Sequence, residues 1–305
     1  MSNAEIENAE LGSAELGSAE HGSAEHGSAL VLGGGGVAGI AWMTGLLTGL
    51  AEAGDDVTAA DLIIGTSAGA TVAAQLGSGL PITELLARQT DPALQSAELV
   101  AEIDLAKLGA DLAGYLSDAA TPEQVLQRIG AYALDAATVP ESARRAVIES
   151  RLPSHDWPAR RLQLTAVDAE SGEFMLFEAS SGVSLVDAVG ASCAVPGIWP
   201  PVTIGGRRYV DGGVRSSDNA DLAASAARII VISPLGFNSP LPSPLPLQDV
   251  VARLREAGRK VTVVTPDAAS LAAIGANPLD PSTRTPAAEA GRAQGRAGLA
   301  AVASG

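Results

Sequence analysis

Gly65-Thr66-Ser67-Ala68-Gly69 decides how the rest of the chain is read, because an apolar run precedes it and a helix-compatible run follows. Leu62-Ile63-Ile64 suits a central strand covered on both faces, and Ala68 to Leu76 is small and helical in composition. The chain therefore turns sharply at Ser67. So tight a turn leaves no room for side chains on either side of the serine, which accounts for Gly65 and Gly69. It lifts the hydroxyl clear of the sheet and aims the next backbone N–H groups, with the positive end of the helix, at the same space. That is the geometry of a nucleophile elbow. In a chain with 34 glycines the pentapeptide alone discriminates poorly, so the context has to carry weight.

A second strand-to-helix turn lies upstream. Leu30-Val31-Leu32 predicts a buried strand, Gly33-Gly34-Gly35-Gly36-Val37-Ala38-Gly39 a loop, and Ile40 to about Ala53 a helix. Such a turn cradles anions, because its N–H groups are unpaired, its backbone approaches a ligand closely and the helix dipole favours negative charge. Two chemistries use it. One is a nucleotide pyrophosphate, since Gly34-x-Gly36-x-x-Gly39 fits the dinucleotide pattern and Asp55, Asp56 and Asp61 stand where a ribose partner is expected. The other is the oxyanion of an acyl-transfer intermediate.

Residues 29–51 carry no charge over 23 positions, which on hydropathy alone would pass for a membrane span. Seven of those positions are glycine, four of them consecutive, so strand, loop and helix is the better reading. No basic segment precedes the run, as a signal peptide would require.

Residues 9–28 are four pentapeptides, Ala-Glu-Leu-Gly-Ser twice and Ala-Glu-His-Gly-Ser twice. Low in bulky apolar side chains and free of basic residues, 1–28 is expected to be a disordered tail, with residues 29–305 forming the folded domain. Met1-Ser2-Asn3-Ala4 reads as a cloning remnant. His21 and His26 belong to the solvated repeats. The chain carries a net charge of −16, and the six tail glutamates leave the body near −10. That argues against a nucleic-acid partner and gives no electrostatic pull toward anionic lipid. A single cysteine, Cys193, excludes an intrachain disulfide and fits a reducing compartment, so the expected location is cytoplasmic, with any membrane contact peripheral and hydrophobic.

Residues 81–152 read as a mostly helical insertion. Thr121-Pro122-Glu123-Gln124 supplies a capping threonine, a proline at the first helical position and a glutamine at the third. Leu105, Leu108, Leu112, Tyr115 and Leu116 keep helical spacing, read as core packing in preference to a lipid-binding face. Strands follow at Leu162–Val167, with a hairpin partner over Glu173–Phe177, and at Arg208-Tyr209-Val210 leading into Asp211-Gly212-Gly213. Further strands are expected at Ile229–Ile232 and Val261–Val264, with a helix near 247–257 between them and a last helix from about Pro286 to Val302. Strands alternating with helices indicate an α/β sheet with helices on both faces.

Three stretches together resemble the patatin-like phospholipase family: Gly33 to Gly39, Gly65 to Gly69, and Asp211-Gly212-Gly213. Their order and spacing match, as does the approach segment Ala191-Ser192-Cys193-Ala194-Val195-Pro196-Gly197-Ile198-Trp199-Pro200-Pro201-Val202, so the resemblance covers roughly residues 29–233. It implies a three-layer α/β/α fold with a mostly parallel central sheet and hydrolysis of acyl esters of lipids without metal or cofactor. On that implication Ser67 is the nucleophile, Asp211 its base, and the Gly34, Gly35, Gly36 and Val37 backbone the oxyanion hole, with Gly39, Gly65, Gly69, Gly212 and Gly213 shaping the turns. Two departures stand out. The family loop usually carries Arg or Lys before its last glycine, where this chain has Ala38, and an Asn-x-Pro often follows the Asp-Gly-Gly, where this chain reads Val214-Arg215-Ser216-Ser217-Asp218-Asn219.

The chemistry holds without the family name. A serine hydroxyl is a poor nucleophile until a base accepts its proton, worth about 10²–10⁴ in rate, and each oxyanion donor adds roughly 10²–10³. A Ser-His-Asp triad would need a histidine, and outside the tail only His155 exists, in a proline-flanked stretch that reads as a surface loop. Cys193 sits among small apolar residues, where an inert thiol is the ordinary case. Trp42, Trp157 and Trp199 read as packing residues, Trp199 also as a candidate wall of an acyl pocket. Two rivals to a lipid acyl hydrolase remain: a nucleotide-binding module built on the glycine loop, and a catalytically silent patatin-like regulator.

Overall fold

The computed structural model describes residues 26–100, 105–116, 121–237 and 244–304. The expected tail up to residue 25, and 238–243 of the proline-rich loop, lie outside the described residues. Nine strands form one sheet: β1 (His26–Leu32), β2 (Leu62–Gly65), β3 (Arg161–Asp168), β4 (Phe174–Phe177), β5 (Val202–Ile204), β6 (Arg207–Asp211), β7 (Ala226–Ile232), β8 (Lys260–Val264) and β9 (Ala303–Ser304). Their order is β5-β6-β3-β2-β1-β7-β8-β9, with β4 on β3. The central strands β3, β2, β1, β7 and β8 run parallel, and the outer pairings are antiparallel.

Eleven helices are described: α1 (Gly36–Glu52), α2 (Ala68–Leu76), α3 (Ile82–Thr90), α4 (Leu105–Leu116), α5 (Pro122–Asp135), α6 (Glu141–Arg151), α7 (Leu185–Ser192), α8 (Leu247–Glu256), α9 (Ala268–Ile274), α10 (Arg284–Gly295) and α11 (Leu299–Val302). The pleat of β1 and β2 divides them into layers. Leu30, Leu32 and Ile63 face a core filled by α1, α2, α7 and α10, whereas Ala29, Val31, Leu62 and Ile64 face the one completed by α8. The result is the three-layer α/β/α arrangement expected.

The uncharged run 29–51 is a strand, a glycine turn and a helix buried at every residue from Val37 to Leu50. A helix apolar all round belongs in a core or a bilayer, and no described helix is long and apolar enough to cross a membrane. Helix α1 crosses α10 at backbone contact. A Cβ on Gly45 would lie 2.0 Å from the Ala288 carbonyl oxygen, and one on Gly291 would lie 2.2 Å from that of Trp42. Arg292 and Arg296 then close the crossing on Glu52.

Residues 81–152, expected to be a mostly helical insertion, hold the four helices α3 to α6. Thr121 caps α5 by accepting from the Gln124 N–H, with Pro122 at the first turn. Leu112, Leu126 and Ile129 pack with Val167 and Val210, and Tyr115 meets Tyr132 edge-on. The side chains of Leu105 and Leu108 lie outside the described ones.

Three boundaries and one helix differ from expectation. Strand β1 begins at His26, inside the expected tail, because it pairs with β7 from Ala226 onward and the Ser28 N–H and hydroxyl both donate to the Asp61 carboxylate. Helix α1 begins at Gly36 instead of Ile40: glycine lets the first turn press against the Pro278 carbonyl, which accepts the Ala38 N–H at 2.9 Å. The expected last helix is two, α10 and α11, broken where Gly298 takes φ +83° before the chain joins β8 as β9. Helix α9 had no counterpart in the sequence reading.

Candidate active site

The elbow is strained as its sequence requires. Ser67 has φ 56° and ψ −118°, and it shares a positive φ with only one other non-glycine among the described residues, Asn219. A Cβ on Gly69 would sit 1.9 Å from the Leu32 carbonyl oxygen, and one on Gly65 would sit 2.6 Å from the Ala70 Cα. Both glycines are therefore steric necessities. The Ser67 N–H donates to Ser192 Oγ at 3.0 Å and its carbonyl accepts from the Cys193 thiol at 3.1 Å, so α7 holds the turn from below.

Asp211 reaches the serine through a mismatch in strand length. Strand β2 ends level with Leu164 of β3, which runs on to Asp168. Because β4 pairs with residues 164–167 along the other edge, β6 takes over the edge that β2 leaves and sets Asp211 opposite Ala166. Chain ends from opposite directions thus meet beside the elbow. The Asp211 Oδ1 accepts from the Gly213 N–H at 2.7 Å, and a Cβ on Gly213 would crowd that oxygen at 2.9 Å. A Cβ on Gly212 would collide with Thr165 Oγ1 at 2.2 Å. Burial pushes the Asp211 carboxyl up to about 7, opposed by the Ser67 hydroxyl, the Gly213 N–H and the Arg144 guanidinium. Its Oδ2 is buried and has no partner in hydrogen-bond geometry, so an acceptor lone pair stays open.

Of the four residues expected to stabilise an oxyanion, one is committed elsewhere. The Gly34 N–H donates to the Ser217 carbonyl at 2.8 Å. Among the described residues the N–H groups of Gly35, Gly36 and Val37 have no acceptor, nor does that of Ala68 at the start of α2. The first three sit at the positive end of α1 and the Ala68 N–H at that of α2, where the helix dipoles add to them. Gly35 is pressed on Pro234, where a Cβ would come within 2.5 Å, whereas Gly39 would meet nothing closer than 3.3 Å.

The exit segment that departs from the family pattern is the brace of the site. Asn219 is fully buried, and its amide nitrogen lies within reach of Thr66 Oγ1, Gly212 O and Ser216 O at 3.1, 3.1 and 2.8 Å. Arg215 donates to Asn219 Oδ1 at 2.7 Å, which fixes the amide orientation. One side chain therefore ties the elbow strand to the Asp-Gly-Gly turn. Asp218 lies buried under the glycine loop, bound by the Ser217 hydroxyl at 2.7 Å, and burial raises its carboxyl to about 6. Sequence reasoning singled out neither residue for a role; a run of four polar residues, 216–219, after a glycine turn was the signal.

The pieces open into one cavity of about 240 Å³. Ser67, Asp211 and Gly34 to Val37 line it, with Ile40, Val195, Ile198, Trp199, Leu235 and Leu279 as an apolar wall. Trp199 is thus a wall residue, while Trp42 and Trp157 pack in the core with their N–H groups on Gln294 and Val183. The insertion contributes Glu98, Leu99, Arg144 and Arg151. His155 does not line the cavity: half exposed, it sits against Glu149. Cys193 touches the cavity, but its thiol is engaged with Ser67 and Thr71 and burial pushes it up. Asp61, offered as a ribose partner, binds Ser28 near the start of β1, at the opposite end of the strand from the glycine loop. Asp55 and Asp56 receive the Leu299 and Thr58 N–H groups. Among the described residues no group of three His, Cys, Asp or Glu is arranged to hold a metal ion.

The fold and site together define an α/β/α protein built on a strand–serine–helix elbow facing a glycine-rich helix N-terminus. The patatin-like phospholipase family model matches residues 30–224, and the chain belongs to that family. Similar solved structures include VipD from Legionella pneumophila, 14% identical with a TM-score of 0.42, over 92% of this chain and 67% of that one. They also include the type III effector protein ExoU, 17% identical with a TM-score of 0.38, over 90% of this chain and 53% of that one. This chain thus spans about half the length of ExoU. No curated protein matches it.

Proposed function

We propose that the protein is a serine hydrolase of lipid acyl esters acting through a Ser67–Asp211 dyad. The observation that carries this reading is the convergence, in one apolar-walled cavity, of a strained serine, a buried carboxylate with an open oxygen, and unpaired backbone donors at a helix N-terminus. In the proposed reaction Ser67 Oγ attacks the acyl carbonyl carbon while Asp211 Oδ2 accepts the hydroxyl proton. The carbonyl oxygen becomes an oxyanion held by the N–H groups of Gly35, Gly36 and Val37, which replaces the four-residue set expected from the sequence. Collapse expels the alcohol, protonated by Asp211. Water then repeats the sequence on the acyl-enzyme, with Asp211 again the base.

A carboxylate near 7 is suited to the task, because a base titrating near working pH combines sufficient ionisation with sufficient basicity. The apolar wall supports an acyl chain as the group bound. Against the nucleotide-binding alternative stands Asp61, which lies at the wrong end of the sheet. Labelling with a fluorophosphonate followed by peptide mapping tests the proposal. A covalent adduct on Ser67 is expected; labelling elsewhere, or none where a control hydrolase reacts, favours the silent regulator.

A further inference from the structure

Arg144, on helix α6, is a lining cation of the cavity to which no carboxylate is hydrogen-bonded. Its residue is 6% exposed. Among the described residues its guanidinium makes no hydrogen bond and no ion pair, and its Nε and Nη1 are buried without an acceptor. Its sole close partner is the face of Trp199, 3.9 Å from ring centroid to guanidinium carbon. Stacking on indole is worth far less than the hydration that a buried guanidinium gives up.

The surroundings make the imbalance sharper. Glu98, the acidic wall residue between α3 and α4, is saturated: Arg151 donates to both of its oxygens, at 2.9 and 2.5 Å, and Arg284 donates to Oε1 at 2.5 Å. Two buried arginines therefore share one glutamate, and Arg144, also buried, has no carboxylate bonded to it. Burial, reinforced by Arg151, pulls the Arg144 pKa down, and the opposing pull of Cys193, Glu98 and Asp211 does not make up the loss. The insertion's wall of the cavity, Glu98, Arg144 and Arg151, carries one net positive charge, which Asp211 faces from β6 and an anion from outside the protein can answer more closely. The glycine loop itself offers no cation, since Ala38 is fully buried against the core.

We infer that Arg144 is the anion subsite of this cavity and binds a phosphate group borne by the acyl ester beside its scissile bond. The inference rests on the hydrolase reading for the word substrate, but not for the binding. Gly35 to Val37 face the developing oxyanion from α1, and Arg144 approaches from the insertion on a different wall. Trp199 holds the guanidinium plane, so little side-chain freedom is lost when the anion arrives.

Binding to the Ser67→Ala protein tests this without turnover. Isothermal titration compares dihexanoyl phosphatidic acid, dihexanoylglycerol and inorganic phosphate against Ser67→Ala and Ser67→Ala/Arg144→Gln. The preference for the anionic over the neutral lipid is expected to fall by about 10- to 100-fold on losing Arg144, the value of hydrogen bonds to a charged group, and Arg144→Lys should restore part of it. An equal loss for both lipids assigns Arg144 to packing on Trp199 and overturns the inference, as does an unchanged preference. Phosphate binding that depends on Arg144 while lipid binding does not overturns the substrate assignment in favour of a free anion. Failure of the hydrolase reading shows elsewhere, as a missing fluorophosphonate adduct on Ser67.

Discussion

Helix α1 uses glycine twice, at its first turn and again from Gly45, and the two uses look alike until one asks what fills the space. At Gly45 and Gly49 the missing side chains admit the backbone of α10, whose Gly291 and Gly295 return the approach. At Gly33 to Gly36 they admit Asp218, Pro234 and Pro278 on one side, yet leave the N–H groups of Gly35 and Gly36 unpaired on the other. Glycine in a sequence reports close approach in both places. Only the unpaired donors distinguish a surface prepared for a ligand from one consumed by packing.

Breaking the site end should cost activity and leave stability, the reverse of breaking the crossing. Ser67→Ala and Asp211→Asn are each expected to lower kcat on a p-nitrophenyl ester by at least about 10², the lower bound for removing a nucleophile's base, with circular dichroism unchanged. His155→Ala should stay within about twofold, because that side chain lies outside the cavity. A dead His155→Ala beside a working Asp211→Asn would overturn the dyad.

The same carboxylate makes pH a sharper probe. With Asp211 near 7, kcat/KM should rise about tenfold per unit below that pH and level off above it. Stability has the opposite sign. The folded state keeps a proton that the unfolded chain, at its ordinary 3.8, releases, so this group's contribution falls as pH rises from about 4 to 7 and is flat beyond. Asp211→Asn removes that loss. The difference in Tm between variant and wild type should therefore grow in the variant's favour across pH 4 to 7; a difference that stays constant would mean that Asp211 titrates normally.

At the crossing, Gly45→Ala places a Cβ 2.0 Å from the Ala288 carbonyl oxygen, and backbone must move. Overpacking of this kind costs about 1–3 kcal/mol, or roughly 2–4 °C of Tm for each kcal/mol in a chain of this size. Turnover per folded molecule should be unchanged, since α10 lies away from the cavity wall. A variant with normal Tm but reduced kcat would show that the crossing and the site are coupled through α1.

The contrast also explains what could be read in advance. Ser67, Asp211 and the glycine loop were legible because chemistry puts rare demands on short contiguous stretches: small residues around a serine, an acid before two glycines. The α/β sheet with helices on both faces followed from the alternation of strands with helices, and its mostly parallel order from the family resemblance. Arg144 was not legible, since Arg144-Arg145 on a polar helix has the pattern of a solvated face and burial depends on Trp199, 55 residues later. Asn219 escaped for the same reason; its partners Thr66 and Thr165 are distant in the chain. Gly45 and Gly49, like Gly291 and Gly295, are spaced for a crossing, but helical glycines four apart acquire that meaning only when the second helix is known.

The smallest effect separates motif from mechanism. Gly39 closes the glycine-rich stretch, and the family resemblance casts it as a supporting residue like Gly69. Sterically the two are unlike: a Cβ on Gly69 would strike the Leu32 carbonyl at 1.9 Å, whereas one on Gly39 would meet Pro234 at 3.3 and 3.4 Å and the Ala68 methyl at 3.6 Å. Gly39 lies inside α1, and its φ is not in the left-handed range. Alanine there gains roughly 0.5–1 kcal/mol from reduced chain entropy, which offsets the few tenths of an ångström that the Pro234 ring must yield. Gly39→Ala is therefore expected to keep kcat within about threefold and Tm within about 2 °C, against loss of folded protein for Gly69→Ala. Thermal melts and p-nitrophenyl ester turnover on the two variants settle it. If Gly39→Ala lost activity while keeping its Tm, the donors at Gly35 to Val37 would depend on a closer fit of the first turn against Pro234 than the distances imply, and the site end of α1 would prove as tightly packed as its crossing with α10.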